Sequence, residues 1–196
     1  IPTVRDRVVQ TALAYVLEPI FERDFAEHSY GFRPGRNAQQ ALTRVENLLA
    51  QGQTWVVDAD LKGYFDSIPH DLLTARIEEH ISDGRLLQLL ASWLQQDIVR
   101  DLERWTPTAG TPQGAVISPL LANLYLHPLD VKMSELGYRM VRYADDFVIL
   151  CQTASQAQAA LEEVKVWVEE NGLTLHPDKT HVGDCLAAGQ GFEFLG

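Results

Sequence analysis

The chain has 196 residues, 46 % of them hydrophobic, and a formal net charge of −11 at pH 7. This length and composition suffice for one buried core, or for one domain with a subdomain. No apolar run approaches the roughly 20 residues of a membrane span, and no secretory leader begins the chain, so we expect an intracellular, cytoplasmic protein without a membrane anchor. The acidic balance argues against a broad phosphate-binding surface.

Hydrophobic periodicity and turn residues predict an alternation of helices and strands along the chain. Helices are predicted over 6–26, 38–50, about 70–81, 84–98, a segment that opens at Ser118, and a segment capped by Ser155 that ends at Asn171. Strands are predicted over 54–61, 138–143, 147–151, 173–175 and 192–195. The fold class is therefore α+β.

From residue 54 onwards the order is strand, helices, strand, strand, helix, strand. This is the split β-α-β order of a ferredoxin-like sheet. In that topology the third strand lies between the first and the second and runs antiparallel to the first. Asp60 closes the first strand, and Asp145 with Asp146 opens the third. The three carboxylates are therefore expected to share one edge of the sheet.

Crowded carboxylates raise one another's pKa unless cations neutralise them. Magnesium is a hard ion that takes oxygen ligands, and two such ions about 4 Å apart can promote phosphoryl transfer. A solvated hairpin turn is the alternative for Asp145 and Asp146, because Asp favours turns. The predicted partner Asp60 favours the metal site.

The segment "RYADDFVIL" resembles the signature of reverse transcriptases, and other blocks resemble, in order, those of group II intron-encoded and related bacterial enzymes. These blocks are "IPTVRDRVVQ", "HSYGFRPGRNAQQAL", "VVDADLKGYFDSIPHDLL", "GTPQGAVISPLLANLYLHPLD", "GLTLHPDKT" and "GFEFLG". The resemblance covers nearly the whole chain. It implies a polymerase palm over 54–196, with a helical insert at about 70–135, and helical partial fingers over 1–53.

The same resemblance implies that the N-terminal fingers and the thumb lie outside these residues. A palm without those parts lacks basic surfaces to hold a template against its own negative field. The fragment alone is therefore expected to show little or no processive synthesis.

The implied activity is that of an RNA-directed DNA polymerase, which extends a DNA or RNA primer on an RNA template with dNTPs. Its two Mg²⁺ ions, for which Mn²⁺ can substitute, would be held by Asp60, Asp145 and Asp146. In "DADLKGYFDSI" the resemblance selects Asp60 over Asp58 and Asp66. Strand alternation alone does not separate Asp58 from Asp60, and Asp58 is expected to face elsewhere.

Further roles follow from the resemblance. Phe65 matches the aromatic residue that lies beneath the sugar and rejects a 2′-hydroxyl, and Lys179 in "HPDKT" matches a lysine near the triphosphate. Gln113 and Gly114 in "GTPQG" would contact the incoming nucleotide, and Arg5 would help to bind its phosphates. A core aromatic, a plain loop and solvated basic side chains are the structural alternatives.

The loop "YGFRPGR" places Arg33 and Arg36 among glycines and an aromatic residue. This composition suits backbone and stacking contacts with nucleic acid. Solvated surface arginines are the alternative.

Other catalytic layouts are absent from the sequence, which has no GxxxxGK loop, no GxSxG turn and no HExxH helix. A second hypothesis is a catalytically incomplete module that binds intron RNA, as a maturase does, or a protein partner through the helix that carries Leu86 to Leu94. A third, an RNA-copying RNA polymerase, is disfavoured by "YADD" and Phe65. The host element and the oligomeric state stay open.

Overall fold

The structure is a computed structural model, and it describes residues 2–100, 103–112, 114–187 and 191–195. The helices are α1 (Val4–Glu22), α2 (Ala38–Ala50), α3 (Tyr64–Ser67), α4 (His70–Glu78), α5 (Gly84–Leu94), α6 (Ser118–Glu135) and α7 (Ala154–Glu170). The strands are β1 (Trp55–Asp60), β2 (Ile98–Arg100), β3 (Glu103–Trp105), β4 (Arg139–Tyr143), β5 (Asp146–Cys151) and β6 (His181–Asp184). No helix in this described part has the length and apolar character that crossing a membrane requires.

The chain packs as two compact units, each built from two segments. The first unit comprises Ile1–Asp24 and Gly63–Tyr125, and the second comprises Phe25–Lys62 and Leu126–Gly196. These units reflect packing within the chain. The division into fingers over 1–53 and palm over 54–196 stays a prediction.

In the first unit, α1 starts earlier and ends earlier than the predicted range of 6–26. The side chain of Thr3 accepts a hydrogen bond from the backbone of Asp6, whose carboxylate accepts one from Thr3, and this capping box begins the helix at Val4. The buried face includes Gln10, because its Oε1 accepts a hydrogen bond of 2.9 Å from the backbone N–H of Val116.

Helix α3, which the sequence does not predict, anchors the loop that enters α6. The backbone N–H of Thr111 donates to the carbonyl oxygen of Phe65 at 2.7 Å. Gly110 has a φ of +90°, and a Cβ atom there would lie 2.9 Å from the backbone of Asp66. A glycine is therefore required where this loop crosses α3.

The region after α5 also differs from the prediction. Helix α5 ends at Leu94 rather than continuing to residue 98, and Ile98–Arg100 pairs with Glu103–Trp105 as an antiparallel hairpin. A short stretch with β-branched residues can extend a helix or form a strand, and hydrophobic periodicity alone does not distinguish the two.

The second unit contains a four-stranded antiparallel sheet in the order β4-β5-β1-β6. Strand β5 lies between β1 and β4 and runs antiparallel to β1. The predicted ferredoxin-like arrangement is confirmed. The fourth strand, however, is His181–Asp184, and not either of the predicted late strands.

The two predicted late segments contribute to the fold in other ways than as strands of the sheet. Residues 173–175 contribute one isolated bridge, from Leu175 to Leu61, and residues 192–195 form no strand. Phe194 is nevertheless buried in the core. Helix α7 is capped by Thr153, whose side chain accepts from the backbone of Gln156, and not by Ser155.

Both faces of the sheet are covered by helices of the same unit. Helix α7 packs against β1, β5 and β6. Helix α2 packs on the other face, where a buried cluster comprises Tyr30, Ala41, Val45, Leu48, Val56, Val141, Val148, Leu150 and Phe194. Strand alternation places Asp58 and Asp60 on the face that carries Val56, beyond the end of this cluster. Asp58 and Asp60 therefore lie at the boundary of the apolar core.

Candidate active site

A two-residue turn joins β4 to β5 and carries Asp145. Tyr143 pairs with Asp146, so Ala144 and Asp145 form the turn. Ala144 has a φ of +59°, in the left-handed region, which costs an L residue roughly 1–2 kcal/mol. Tight hairpins require a positive φ at this first loop position. Surrounding contacts must therefore hold Ala144 in this conformation.

A buried ion pair between Arg142 and Asp130 stabilises this turn. Arg142 in β4 donates through Nε to Oδ1 of Asp130 at 2.8 Å and through a second nitrogen to Oδ2, and both side chains are fully buried. A third nitrogen donates to the carbonyl oxygen of Ala144 at 2.7 Å. The guanidinium therefore ties the turn to α6. The sequence analysis did not identify this pair, since an arginine in a strand carries no signal of burial.

A glycine supports the turn from the side. The backbone N–H of Tyr30 donates to the carbonyl of Arg142, and that of Arg142 donates to the carbonyl of His28, both at 2.9 Å. A Cβ atom on Gly31 would lie 2.3 Å from the backbone nitrogen of Ala144. The segment "HSYG" thus pairs with β4 and lies directly against the acidic turn.

Asp60 and Asp146 are direct partners across β1 and β5. Opposite residues of an antiparallel pair have Cβ atoms about 4.5–5.5 Å apart on one face of the sheet. Asp145 follows immediately in the turn. The sheet topology therefore brings Asp60 and Asp146 together at the predicted edge, although 86 positions separate them in the sequence.

Lys179 lies beside this edge. Its Nζ is 3.1 Å from Oδ2 of Asp60. The preceding segment is held alongside β1, since the N–H of His176 donates to the carbonyl of Asp60 and the N–H of Lys62 to that of Thr174, both at 2.8 Å. These backbone hydrogen bonds place Lys179 beside the carboxylate of Asp60. The exposed ion pair itself contributes little to stability.

The sequence analysis expects Asp58 to face away from Asp60, and this prediction is wrong. It shares a face with Asp60 because the two residues are two positions apart in β1. The residue is only 8 % exposed, and its side chain accepts a hydrogen bond from the backbone of Glu193 and lies 3.8 Å from Nε2 of His181. Asp58 is therefore a buried neighbour of the acidic pair with partners of its own.

Burial and like charge raise the pKa values at this edge. Desolvation is the main cause for Asp146, whose pKa rises to about 6, and neighbouring carboxylates raise it further. The backbone N–H of Leu195 opposes this rise by donating to Oδ2 of Asp146 at 3.4 Å. Desolvation also raises the pKa of Asp145, and the charge of Asp60 adds to the effect.

The donor set suits a divalent cation in ligand type and charge. Carboxylate oxygens are hard ligands of the kind that Mg²⁺ prefers. Within the described residues, no three His, Cys, Asp or Glu side chains are arranged to hold a metal ion. One oxygen of Asp60 faces Lys179 and one of Asp146 faces Leu195. The chemistry of the edge therefore fits a cation, and metal binding stays a prediction.

The residues predicted to contact a nucleotide lie in the first unit. Phe65 in α3 is half-buried, with its ring edge-on to Tyr64 at 5.5 Å between centroids. Gly114 has a φ of +75° and open space beside it. Arg5 is exposed on α1. Gln113 lies outside the described residues, and all four roles stay predictions.

The two arginines of "YGFRPGR" differ in their surroundings. Arg33 is 6 % exposed, donates to the carbonyls of Ala26 and Ser29, and lies over the ring of Phe25. Arg36 is partly exposed. Both arginines donate within this loop, since Arg36 donates to the carbonyl of Glu27, but Arg36 is the more exposed and is therefore the better placed of the two for the predicted contact with nucleic acid.

Comparison with known proteins agrees with the fold and the motifs. The chain matches, over residues 1–196, the family described as reverse transcriptase (RNA-dependent DNA polymerase). Protein YkfC of Escherichia coli (strain K12) is 34 % identical, over 100 % of this chain and 61 % of YkfC. The group II intron-encoded protein LtrA of Lactococcus lactis subsp. cremoris is 38 % identical, over 72 % of this chain and 24 % of LtrA.

A solved structure, apo telomerase from Candida tropicalis, has a TM-score of 0.70 at 12 % identity, over 92 % of this chain and 37 % of telomerase. That likeness shows the shared fold. The chain belongs to the reverse transcriptase family, and its relatives include group II intron-encoded proteins. It spans less than two thirds of the length of YkfC and LtrA. Members of the family generally work with divalent metal ions.

The ion pair beneath the turn makes a first prediction. Arg142→Lys keeps the charge but loses the planar fork that joins Asp130 to Ala144, so we expect a loss of about 2 kcal/mol or more in the free energy of unfolding. Urea unfolding measures this loss. Arg23→Lys is the matched control, because Arg23 pairs with Asp24 at the surface, and it should cost below about 0.5 kcal/mol. Equal losses would contradict the assignment.

The raised pKa of Asp146 makes a second prediction. Its protonated form stabilises the folded state fully below the unfolded pKa near 4, and this contribution is lost as pH rises through about 6. The contribution is at most about 3 kcal/mol, since one pKa unit is about 1.4 kcal/mol, and solvent screening reduces it. Asp146→Asn should therefore be more stable than the parent at neutral pH in EDTA.

Urea unfolding across this pH range tests the effect. The difference between Asp146→Asn and the parent should grow as the pH rises from 4 to 7. Asp178→Asn, an exposed substitution in the neighbouring loop, should follow the parent throughout. A constant difference between parent and Asp146→Asn would refute the proposed cause.

Proposed function

We propose that this chain forms the catalytic palm of an RNA-directed DNA polymerase, which extends a primer with dNTPs by two-metal phosphoryl transfer. The observation that carries the proposal is the direct pairing of Asp60 with Asp146 across β1 and β5, beside Asp145 in the turn. Membership of the reverse transcriptase family supports the reaction class.

Asp60, Asp145 and Asp146 would hold the two Mg²⁺ ions, with Mn²⁺ as a substitute. When bound, these ions would activate the primer 3′-hydroxyl and stabilise the departing pyrophosphate. The elevated pKa values of Asp145 and Asp146 support this role, because they mark partly desolvated carboxylates whose ionised forms a cation would stabilise. The buried Arg142 would keep the acidic turn in position without itself touching substrate.

Lys179 would act at the phosphates of the incoming nucleotide. Its ammonium group already lies 3.1 Å from Asp60, so a short side-chain movement would transfer it from carboxylate to phosphate. There it would offset the charge of the leaving pyrophosphate or donate a proton to it. Its exposure is consistent with such a change of partner.

Phe65, Gln113, Gly114 and Arg5 would bind the incoming dNTP. The partners of the whole protein would be an RNA template and a DNA or RNA primer, with Arg33 and Arg36 contacting nucleic acid. Intron RNA is a further partner, because LtrA is a group II intron-encoded protein. The alternative function is a maturase-like module that binds such RNA, or a protein partner, without synthesis.

Primer extension on an RNA template distinguishes these functions. In the full protein that carries these residues, Asp60→Asn and Asp146→Asn should each lower extension at least about a hundredfold, since a metal ligand contributes several kcal/mol to transition-state stabilisation. Asp178→Asn is the matched control and should retain activity. RNA binding is measured in parallel.

Extension that survives both acidic substitutions would exclude the proposed mechanism. RNA binding by a parent protein that extends no primer, with Mg²⁺ or with Mn²⁺, would favour the maturase-like alternative.

The assignment of Phe65 makes a separate prediction. If its ring lies beneath the sugar, Phe65→Ala should raise incorporation of ribonucleotides relative to deoxyribonucleotides by about tenfold or more, because the steric barrier to a 2′-hydroxyl is removed. Tyr64→Phe is the control for disturbance of α3, since it removes only the hydroxyl that donates to Ala122. Unchanged sugar discrimination in Phe65→Ala would remove the assignment.

A further inference from the structure

A cavity of about 530 Å³ lies in the second unit, at the edge of the sheet that β4 forms. Among the described residues that line it, Arg36, Arg44 and Arg139 are basic and Glu27 alone is acidic. The chain as a whole has a net charge of −11. Three arginines around one concave site therefore create a local positive potential that the overall composition does not suggest.

The arginine charges are available to a ligand. Arg44 and Arg139 are exposed, and the side chain of neither makes an ion pair or a hydrogen bond within the described part of the chain. Arg36 donates to the carbonyl of Glu27, and its guanidinium lies 5.5 Å from the ring centre of Tyr30. A guanidinium offers several N–H donors in a fixed plane, which matches the oxygens of a phosphate.

Aromatic side chains accompany the arginines. Tyr30, Tyr138 and His28 also line the cavity. Arginines for phosphates beside rings for bases are the combination that single-stranded nucleic acid requires. The Nε2 atom of His28 is buried without a hydrogen-bond partner among the described residues. A ligand group that reached this atom would satisfy a polar group whose isolation is costly.

The cavity is separate from the acidic edge. Arg139 begins β4 and Tyr143 ends it beside the turn, so the two ends lie about 13 Å apart at about 3.3 Å per residue. The two places are connected through the backbone, because His28 and Tyr30 exchange hydrogen bonds with Arg142. A ligand in the cavity would therefore contact the segment that supports the acidic turn.

We propose that this cavity binds one nucleotide of a single-stranded RNA segment, with its phosphate held by Arg44 and Arg139. The volume is typical of sites for a single small ligand and is too small to enclose a duplex. The identification of the anion as RNA rests on the proposed function. Binding itself requires neither divalent metal nor synthesis.

Fluorescence anisotropy of a labelled oligouridylate in EDTA tests the proposal in the full protein that carries these residues. The Arg44→Gln/Arg139→Gln variant should bind at least about tenfold more weakly, and the slope of log affinity against log salt should fall by about 0.7, because the two arginines neutralise one phosphate. The control, Arg23→Gln/Arg85→Gln, removes the same charge from exposed positions outside the cavity. It should change affinity and slope much less.

Two further arms locate the bound strand and identify the ligand. Photo-cross-linking with 4-thiouridine RNA, mapped by mass spectrometry, should label Tyr138, which is the more exposed tyrosine at the cavity. Inorganic phosphate at millimolar concentration should not displace the RNA, because phosphate alone makes no contact with the rings that line the cavity. Displacement by phosphate would show a free-anion site and overturn the assignment to RNA.

The outcomes separate this inference from the proposed function. Equal effects of the cavity variant and the control, or cross-links confined to other residues, would overturn the inference even if primer extension is intact. Arginine-dependent binding with cross-links at the cavity would support it even if the protein extends no primer.

Discussion

The buried ion pair between Arg142 and Asp130 is the interaction on which the acidic end of the sheet depends. A buried guanidinium is costly unless its donors are satisfied. Here one carboxylate and the carbonyl of Ala144 accept from it, so the energetic requirement of the charge also fixes the shape of the turn. Strain at Ala144 is tolerated because this pair, with the close approach of Gly31, leaves the turn no room to relax.

The same end of the sheet concentrates negative charge that nothing in the apolar core can neutralise. Lys179 faces Asp60, a backbone N–H faces Asp146, and His181 lies near Asp58. These partners only partly offset desolvation and the repulsion between carboxylates, and the pKa of Asp146 is therefore raised. The backbone of this edge is held in place, and its negative charge is only partly compensated. Such an edge is well suited to attract cations.

Positive charge is distributed differently. The chain is acidic overall, which argues against a broad basic face. Arg142 is buried in the core of the fold, and Arg33 donates within its own loop. Arg44 and Arg139, in contrast, line a cavity. If the proposed cavity binds RNA, this acidic reverse transcriptase domain would hold a phosphate at one local site despite its net negative charge.

The sequence by itself determined the order of the first three strands of the sheet and hence the meeting of Asp60 with Asp146, because strand topology converts order along the chain into neighbourhood in the sheet. Only the tertiary structure decided that Arg142 is a buried partner of Asp130, that Gly31 lies against the turn, and that β6 rather than the late "FEFL" segment completes the sheet. Local patterns report periodicity and turn chemistry. Burial of a charge, close approach of two backbones and choice among short competing strands depend on residues distant in sequence, and so they appear only when the chain is folded.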